Sequence, residues 1–359
     1  MRYFLSSIVT FIFLISCGYE ESSVESVTNI DSLALVVQEW KEWAESSDDG
    51  LWEGDSSHRI ESEQLYTFGG ENDVSPPFFY PEAFAVKGDT IFVSDGSTQK
   101  LVAFNLSGEI LWATAGIGEG PGYFTGVSQL TVLSDKLAVI NLRSARIDLF
   151  NFSGDWLQSI TALNIYDVQN VNDSLFLAVK QTSEEGCILL LNSDGEMVSS
   201  FGAWEEHMDG WSANRDLHCA VFNGEFLVLT SYYSDRIEIY DILEQNRILE
   251  FSRSLPIDIP KPAVENGLVN FNTVILDVFI GPEGMINTLL RPFSSEKTLD
   301  LQNGIADFCV IDRFNFDGEY LDSYVIPTKA SLATYENGNL FVANEEESII
   351  SVYKISVGN

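Results

Sequence analysis

One short marker recurs along this chain and constrains its fold more than any other feature. An aromatic or aliphatic residue ends a strand-like run and a tight polar turn usually follows. The markers are FNLSGE, FNFSGD, LNSDGE, YDILEQ, FNFDGE and YKIS, beginning at Phe104, Phe150, Leu191, Tyr240, Phe314 and Tyr353. Successive markers are therefore 46, 41, 49, 74 and 39 residues apart. Such periods are typical of arrays of four-stranded sheets, so the sequence predicts six units and one long insertion.

A second strand pattern precedes each marker at a matching offset, as in TIFVSD, KLAVIN, SLFLAVK, EFLVLTS, MINTLLR and NLFVANE. Alternating apolar runs bounded by Gly, Asp and Ser indicate strands and hairpins. A further strand follows the first five markers, and we expect the segment QLYTFGG from Gln64 to supply the sixth. This predicts an all-β, six-bladed β-propeller of four-stranded antiparallel blades over residues 64–357, closed by an N-terminal strand. The alternative architectures are an open solenoid and two separate sandwiches. The regular spacing of the units and the borrowed first strand, which removes free sheet edges, argue against both.

Residues 1–16 have the pattern of a secretion signal. Arg2 precedes an apolar run from Ile8 to Ile15, which is too short to span a bilayer as a stable helix. The tetrapeptide LISC at residues 14–17 resembles the lipobox of bacterial lipoproteins. That resemblance implies cleavage before Cys17 and a diacylglyceryl thioether on it, which would anchor the protein to a membrane outside the cytoplasm. The alternative is an ordinary secretion signal with a chance cysteine.

Two segments separate Cys17 from the repeats. Residues 17–29 are polar and acidic and are interpreted as a tether, whose start resembles signals that direct some lipoproteins to the outer membrane. Within residues 30–63, Leu33, Val36, Val37, Trp40, Trp43 and Ala44 recur at helical spacing. This predicts one short N-terminal amphipathic helix followed by a linker. Packing against the propeller is the expected use of its apolar face, and docking of a partner is the alternative.

The charge balance excludes one class of partner. The chain has 54 acidic and 19 basic residues and a formal net charge of −35. Binding to nucleic acid depends on Lys and Arg contacts with phosphates, so nucleic acid is not an expected partner. Solubility is the expected role of this charge, and a dedicated cation-binding role is the alternative.

The segment GIGEGPGYF, which begins at Gly116 and leads into SQLTVL, resembles the first-blade pattern of NHL-type propellers. The chain is similar to the NHL-like six-bladed β-propeller lipoproteins of bacteria, a group without an assigned function. The resemblance is sharpest over the first two blades. It implies the fold and no activity, because function resides in sites built on a fold.

Strand direction reverses at every turn, so the loops between blades and those between second and third strands must share one face. That face carries the long segments 70–82, 116–128, 202–217, 252–273 and 292–307, and long loops are often functional. The candidate ligand-binding residues on it are aromatic and arginine side chains: Tyr80, Tyr123, Arg143, Trp204, Trp211, Arg215, Tyr232 and Arg291. Such groups suit sugar rings, peptides and carboxylates. Alternatively, the aromatic rings wedge between blades and the arginines offset neighbouring carboxylates.

No catalytic residue is predicted, because a nucleophile elbow, a CxxC pair and an HExxH motif are all absent from the sequence. The acidic turns NSDGE and NFDGE indicate hairpins and not calcium loops. Cys187, Cys219 and Cys309 are far apart in strand-like segments, and we expect buried free thiols with at most one disulfide.

Three functional hypotheses follow. The first is a lipid-anchored, extracytoplasmic binding protein that recognises a small ligand, glycan, peptide or envelope protein through the long-loop face, without a cofactor. The second is a lactonase- or esterase-like hydrolase with a calcium ion in the central tunnel, as some six-bladed propellers have. Its candidate ligands here form only a partial set: Glu82, Asp167, Asp216 and Asp277. The third is a non-catalytic scaffold of the envelope.

Overall fold

The computed structural model describes residues 60–70, 77–114, 116–180, 186–203, 207–208, 211–212, 217–232, 234–252, 263–265, 268–270, 274–290 and 308–357. The predicted signal peptide, Cys17, the tether and the amphipathic helix lie outside these ranges. Within them the only helices are two single 3₁₀ turns, Leu142–Ser144 and Pro282–Gly284. No helix in the described part of the chain is long and apolar enough to cross a membrane.

Six four-stranded antiparallel sheets follow one another along the chain and form blades 1–6. The first strand, β1 (Ile60–Gly69), belongs to blade 6. Blade 1 contains β2 (Pro81–Lys87), β3 (Thr90–Asp95), β4 (Lys100–Asn105) and β5 (Ile110–Ala113). Blade 2 contains β6 (Val127–Val132), β7 (Leu137–Asn141), β8 (Arg146–Phe150) and β9 (Trp156–Thr161). Blade 3 contains β10 (Ile165–Asn170), β11 (Leu175–Lys180), β12 (Ile188–Asn192) and β13 (Met197–Phe201).

The connection to blade 4 carries a small hairpin of β14 (His207–Met208) and β15 (Trp211–Ser212). Blade 4 contains β16 (Leu217–Phe222), β17 (Phe226–Ser231), β18 (Arg236–Asp241) and β19 (Asn246–Ser252). A second hairpin, β20 (Ala263–Glu265) and β21 (Leu268–Asn270), precedes blade 5. Blade 5 contains β22 (Ile275–Ile280), β23 (Ile286–Leu290), β24 (Cys309–Phe314) and β25 (Tyr320–Ile326). Blade 6 contains β26 (Leu332–Glu336), β27 (Asn339–Asn344), β28 (Ile349–Val357) and, outermost, β1.

The two ends of the described chain meet in blade 6. Strand β1 pairs antiparallel with β28 from Ile60 opposite Val357 to Gly69 opposite Ile349. The innermost strands of neighbouring blades contact one another around the whole ring, including β2 of blade 1 and β26 of blade 6. The prediction of a closed, all-β propeller with six blades is therefore confirmed, and its closing strand begins four residues before the predicted Gln64.

The repeated marker forms the same turn in four blades. In blade 3 the side-chain oxygen of Asn192 accepts hydrogen bonds from the backbone N–H of Asp194 and Glu196, at 3.1 and 2.8 Å. Its amide group donates to the Glu196 carboxylate at 3.0 Å, and Gly195 takes a φ of +82° that favours glycine. Equivalent turns begin at Asn105, Asn151 and Asn315. Both acidic turns are therefore hairpin turns, as predicted.

Apolar layers between adjacent blades form the core. The layers contain the largest fully buried side chains: Phe78, Phe92, Phe104, Phe124, Phe150, Tyr240, Phe308, Phe314 and Tyr353. The three cysteines of the described chain are buried and free, as expected. Phe78, which the sequence places among the long loops, is 1% exposed and packs between blades 6 and 1. Wedging between blades, the alternative considered for the loop aromatics, therefore applies to Phe78.

Candidate functional site

The loop face is the end of the propeller where blades connect to each other and second strands connect to third strands. Its described part lies mainly on blades 6, 1 and 2. Six large apolar side chains are solvent-exposed there: Phe79 (60%), Tyr80 (37%), Ile117 (71%), Tyr123 (39%), Leu142 (37%) and Leu163 (65%). The structure thus places two of the predicted ligand-binding aromatics, Tyr80 and Tyr123, on one accessible surface.

Hydrogen bonds fix Tyr80 at the junction of blades 1 and 6. Its backbone N–H donates to Asp95 Oδ1 at 3.1 Å, and its hydroxyl donates to Glu345 Oε2 at 3.0 Å. Burial, together with the negative charge of Glu345, raises the pKa of Tyr80 to about 12. The hydroxyl therefore stays protonated at neutral pH and holds the ring in place.

Arg143 and Glu82 supply opposite charges beside this ring. Burial raises the pKa of the Glu82 carboxyl group above its usual range, whereas the amide of Gln99 and the charge of Arg143 act in the opposite direction. The stem of Arg143 crosses Gly126, where a Cβ atom would lie 3.2 Å from Arg143 Cδ. The glycine thus allows the arginine to lie flat on the loop face.

Arg146 has a structural role in the Gly-rich connection between blades 1 and 2, residues 116–124. Its guanidinium donates to the backbone carbonyls of Glu119, Gly120 and Tyr123 at 2.7, 2.9 and 2.7 Å. It also pairs with the fully buried Asp148 at 2.8 Å. The Gly-rich connection between blades 1 and 2 is therefore held by one arginine. This connection joins strand β5 to strand β6, whereas a dinucleotide fingerprint or a P-loop leads from a strand into a helix.

A cavity of about 470 Å³ occupies the propeller axis and opens on the opposite, short-turn face. All six innermost strands line it, and its mouth is formed by residues that flank the tight turns, including Lys87, Ser134, Asn170 and Glu336. Its polar wall residues include Gln129, Thr131, Gln169, Thr334, Tyr335 and Asp277. Pockets of about 300–1,000 Å³ with a few convergent polar groups are typical small-molecule sites.

Four polar residues share one register position at the inner end of this cavity. Gln129, Asp167, His218 and Asp277 each pair with the penultimate residue of the second strand in blades 2, 3, 4 and 5. Blades 1 and 6 have Ala83 and Leu332 at this position. The ring of positions is therefore polar on one side of the axis and apolar on the other.

The two aspartates of this ring join neighbouring blades. Asp167 accepts from the backbone N–H of Cys219 at 2.8 Å and from the Gln129 amide at 3.3 Å. Asp277 accepts from the N–H of Ala333 at 2.9 Å. Burial is the main cause that raises the pKa of Asp167 to about 6 and that of Asp277 to about 8. Both carboxyl groups are thus easier to protonate than exposed ones.

His218 completes the polar ring. Its Nδ1 atom lies 3.6 Å from Asp277 Oδ1, and the ring of Tyr232 packs edge-on at 4.4 Å between centroids. Neither ring nitrogen has a hydrogen-bond partner in the structure. Burial lowers the pKa of His218 to about 4, so the imidazole is neutral at pH 7. Tyr232, which is predicted to bind ligand on the loop face, contacts this buried ring, and its role in ligand binding stays a prediction.

The predicted calcium ligands are not brought together where the structure describes them. Asp167 and Asp277 line the axis but accept backbone N–H groups, whereas Glu82 contacts Gln99 at the loop face. Among the described residues no group of three or more His, Cys, Asp or Glu side chains could hold a metal ion. Asp216 lies outside the described ranges, so the calcium site stays a prediction.

Other candidates also fall outside the description. Trp204, Arg215 and Arg291 lie in undescribed segments, and only the backbone of Trp211 is described, in β15. The polar ring at the axis was largely missed by sequence reasoning, although Asp167 and Asp277 were noted as inner-strand carboxylates. His218 lies opposite Thr230 in the same way that Asp277 lies opposite Leu289, and this common register is the signal that could have identified it.

Comparisons with known proteins support the architecture. No protein-family model matches the sequence, and no curated protein matches it. Among solved structures, a member of the DUF4221 family from Bacteroides vulgatus has a TM-score of 0.56 and 10% identity, covering 84% of this chain and 100% of its own. A predicted exported protein from Bacteroides fragilis has a TM-score of 0.56 and 12% identity, with 85% and 96% covered. Virginiamycin B lyase from Staphylococcus aureus has a TM-score of 0.51 and 12% identity, with 82% and 99% covered.

These similarities, at 10–12% identity, concern the fold alone. Together with the closed ring of six sheets, they define the class of this protein as a six-bladed β-propeller.

Proposed function

We propose that this protein is a non-catalytic binding protein of the cell envelope that recognises its ligand through the loop face of blades 6, 1 and 2. The observation that carries the proposal is the accessible surface around Phe79, Tyr80 and Tyr123, which lies next to Arg143. Large exposed apolar groups beside a few charged ones are common at interaction sites.

The chemistry of this surface suits a glycan or a peptide better than a strongly anionic ligand. The Tyr80 ring is fixed by Glu345 and therefore offers a preformed stacking surface at a low entropic cost. Arg143 is a donor for hydroxyl or carboxylate oxygens, whereas Glu82 and Glu345 repel anions. A sugar hydroxyl or a peptide carbonyl can satisfy the arginine without meeting that repulsion.

Attachment by a lipid on Cys17 is part of the proposal. It is supported by the lipobox-like LISC segment and by the fold similarity to the predicted exported protein of Bacteroides fragilis. In cells, Cys17→Ala should move the protein out of the membrane fraction. Without the lipid, a protein with a formal net charge of −35 has little affinity for anionic lipids. Retention of this variant in membranes would contradict the lipid anchor.

Ligand recognition is tested with the full-length protein on glycan and peptide arrays. Hits should weaken about tenfold or more in Tyr80→Ala and Arg143→Ala, because hydrogen-bonded or stacked anchors are typically worth more than ~1.4 kcal/mol. Tyr66→Ala is the matched control, since Tyr66 is 46% exposed but lies on the outer strand β1. Hits that respond equally to all three variants would contradict the assignment of this surface.

A further inference from the structure

The axial cavity and the proposed recognition surface lie on opposite ends of the propeller, so the cavity requires its own explanation. It is enclosed by the free edges of six inner strands and reaches from the short-turn face to the level of Gln129 and Asp277. Ala85 and Ala333 belong to its wall, and their small side chains leave the cavity open.

Among the residues that the structure describes, three charged ones line this cavity: Lys87, Asp277 and Glu336. The two at the mouth are engaged with neighbouring groups. Lys87 Nζ donates to the Ser134 carbonyl at 3.0 Å and lies 4.1 Å from the centroid of the Phe152 ring. Glu336 Oε1 accepts from the backbone N–H of Gly88 at 3.3 Å. The remaining ionisable group in the described wall of the cavity is therefore the carboxyl group of Asp277.

Within the described part of the chain, Asp277 has no cationic partner. Its side chain accepts the N–H groups of Val278 and Ala333, at 2.8 and 2.9 Å, which leaves lone pairs on both oxygens. The other titratable groups near it are Asp167, Cys219 and His218, and none of them brings a positive charge at neutral pH. A buried carboxylate without a counter-ion is costly, and a cation that enters the cavity would remove that cost.

We propose that the axial cavity binds a small organic cation of amino-sugar or amino-acid size, with its ammonium group against Asp277 and its polar body against the side chains of Gln129, Gln169 and Thr334. This site goes beyond the proposed function, since it lies away from the loop face. Amide and hydroxyl groups in the wall donate and accept hydrogen bonds, as recognition of a polyhydroxylated body requires. The strong negative charge of the whole protein favours entry of cations.

The experiment is isothermal titration calorimetry on the full-length protein in detergent, with glucosamine and glucose as probes that differ by one ammonium group. At pH 7 we expect glucosamine to bind about tenfold or more tightly than glucose, which corresponds to ~1.4 kcal/mol. Asp277→Asn should remove this preference. Asp317→Asn, at a turn of blade 5, should retain it.

The comparison of the two probes in the unaltered protein needs no variant, so a misfolded Asp277→Asn protein would leave the test intact. Equal affinity for glucose and glucosamine, or no binding of either, would overturn the proposal. A preference that survives Asp277→Asn in a folded protein would overturn it as well. Loss of array hits in the Tyr80→Ala protein has no bearing on this result, so the two proposals can fail separately.

Discussion

Leu157 and Leu321 occupy the same bulged position in the outer strands of blades 2 and 5, yet 47% of Leu157 is exposed and only 8% of Leu321. Each of the six outer strands has a bulge at this register, and the extra residue is aliphatic in all of them: Leu65, Leu111, Leu157, Val198, Ile248 and Leu321. Five of these side chains are 38–56% exposed. The rim of the propeller is thus accessible at five blades and buried at blade 5.

This difference predicts unequal effects of the same substitution. Leu321→Ala should lower the free energy of unfolding by about 2–3 kcal/mol, because a buried aliphatic side chain is lost. Leu157→Ala should change it by less than about 0.5 kcal/mol. Urea unfolding of both variants measures the difference. Equal costs would show that blade 5 is no more protected than blade 2.

The buried carboxyl group of Asp277 makes stability depend on pH. Its pKa is raised to about 8 in the folded protein, above its unfolded value, so the stability associated with protonation is present below about pH 4 and is lost as pH rises towards 8. Asp277→Asn removes the carboxyl group that ionises, and therefore removes this loss of stability as pH rises. Relative to the unaltered protein, the variant should therefore become more stable between pH 5 and pH 8, by on the order of 3 kcal/mol.

The pH dependence of stability that His218 contributes has the opposite sign, because burial lowers its pKa to about 4. The stability that its neutral imidazole contributes is present above about pH 6.5 and is lost as pH falls through 4. The unaltered protein and Asp277→Asn both contain His218. The difference between their free energies of unfolding, measured in urea at each pH, therefore isolates the contribution of Asp277. A difference that does not change between pH 5 and pH 8 would contradict burial of an uncompensated carboxyl group.

Removal of the Arg146 side chain should loosen the Gly-rich connection between blades 1 and 2. Arg146→Met leaves the buried Asp148 without its ion-pair partner, and breaking such a pair costs about 3–5 kcal/mol. Amide exchange across residues 116–124 should accelerate, because three of their carbonyls lose a donor. The double variant Arg146→Met, Asp148→Asn should recover part of the stability. No recovery would indicate that the backbone contacts dominate.

Gly195 and Gly338 distinguish two reasons why a turn position favours glycine. One is a positive φ, and the other is the lack of room for a Cβ atom. Both have a positive φ, of +82° and +84°, but a Cβ at Gly195 would lie 2.3 Å from Ile160 Cγ1, whereas a Cβ at Gly338 meets nothing within 4 Å. Gly338→Ala should cost about 1–2 kcal/mol from backbone strain alone. Gly195→Ala should cost about 1–3 kcal/mol more, because blade 2 must move aside. Equal melting temperatures would contradict this close packing between blades 2 and 3.

Metal analysis distinguishes the binding protein from the calcium-dependent hydrolase. After exhaustive dialysis against metal-free buffer, we expect the purified protein to retain less than stoichiometric calcium, because Asp167 and Asp277 are engaged with backbone N–H groups. Mass spectrometry of the metal content provides the measurement. One tightly held calcium ion per chain would favour the hydrolase and would direct attention to lactone and ester substrates.

Much of the architecture is encoded locally and could be predicted from the sequence. The turn beginning at Asn192 forms through hydrogen bonds within five residues, so its signal survives in the sequence and repeats at Asn315. Alternating apolar residues specify the strands between such turns, and the similarity of residues 64–70 to a fourth strand revealed the closure with β28. The fold class follows from these short-range patterns.

The tertiary structure alone decided which side chains meet across blades. Asp167 and Cys219 are 52 residues apart, and Asp277 and Ala333 are 56 apart, so no local pattern shows that these carboxyl groups join neighbouring blades. The burial of Leu321, the position of Arg146 over the Gly-rich connection and the polar side of the axial ring have the same origin. Each depends on the register and packing of distant strands, which only the closed ring brings together.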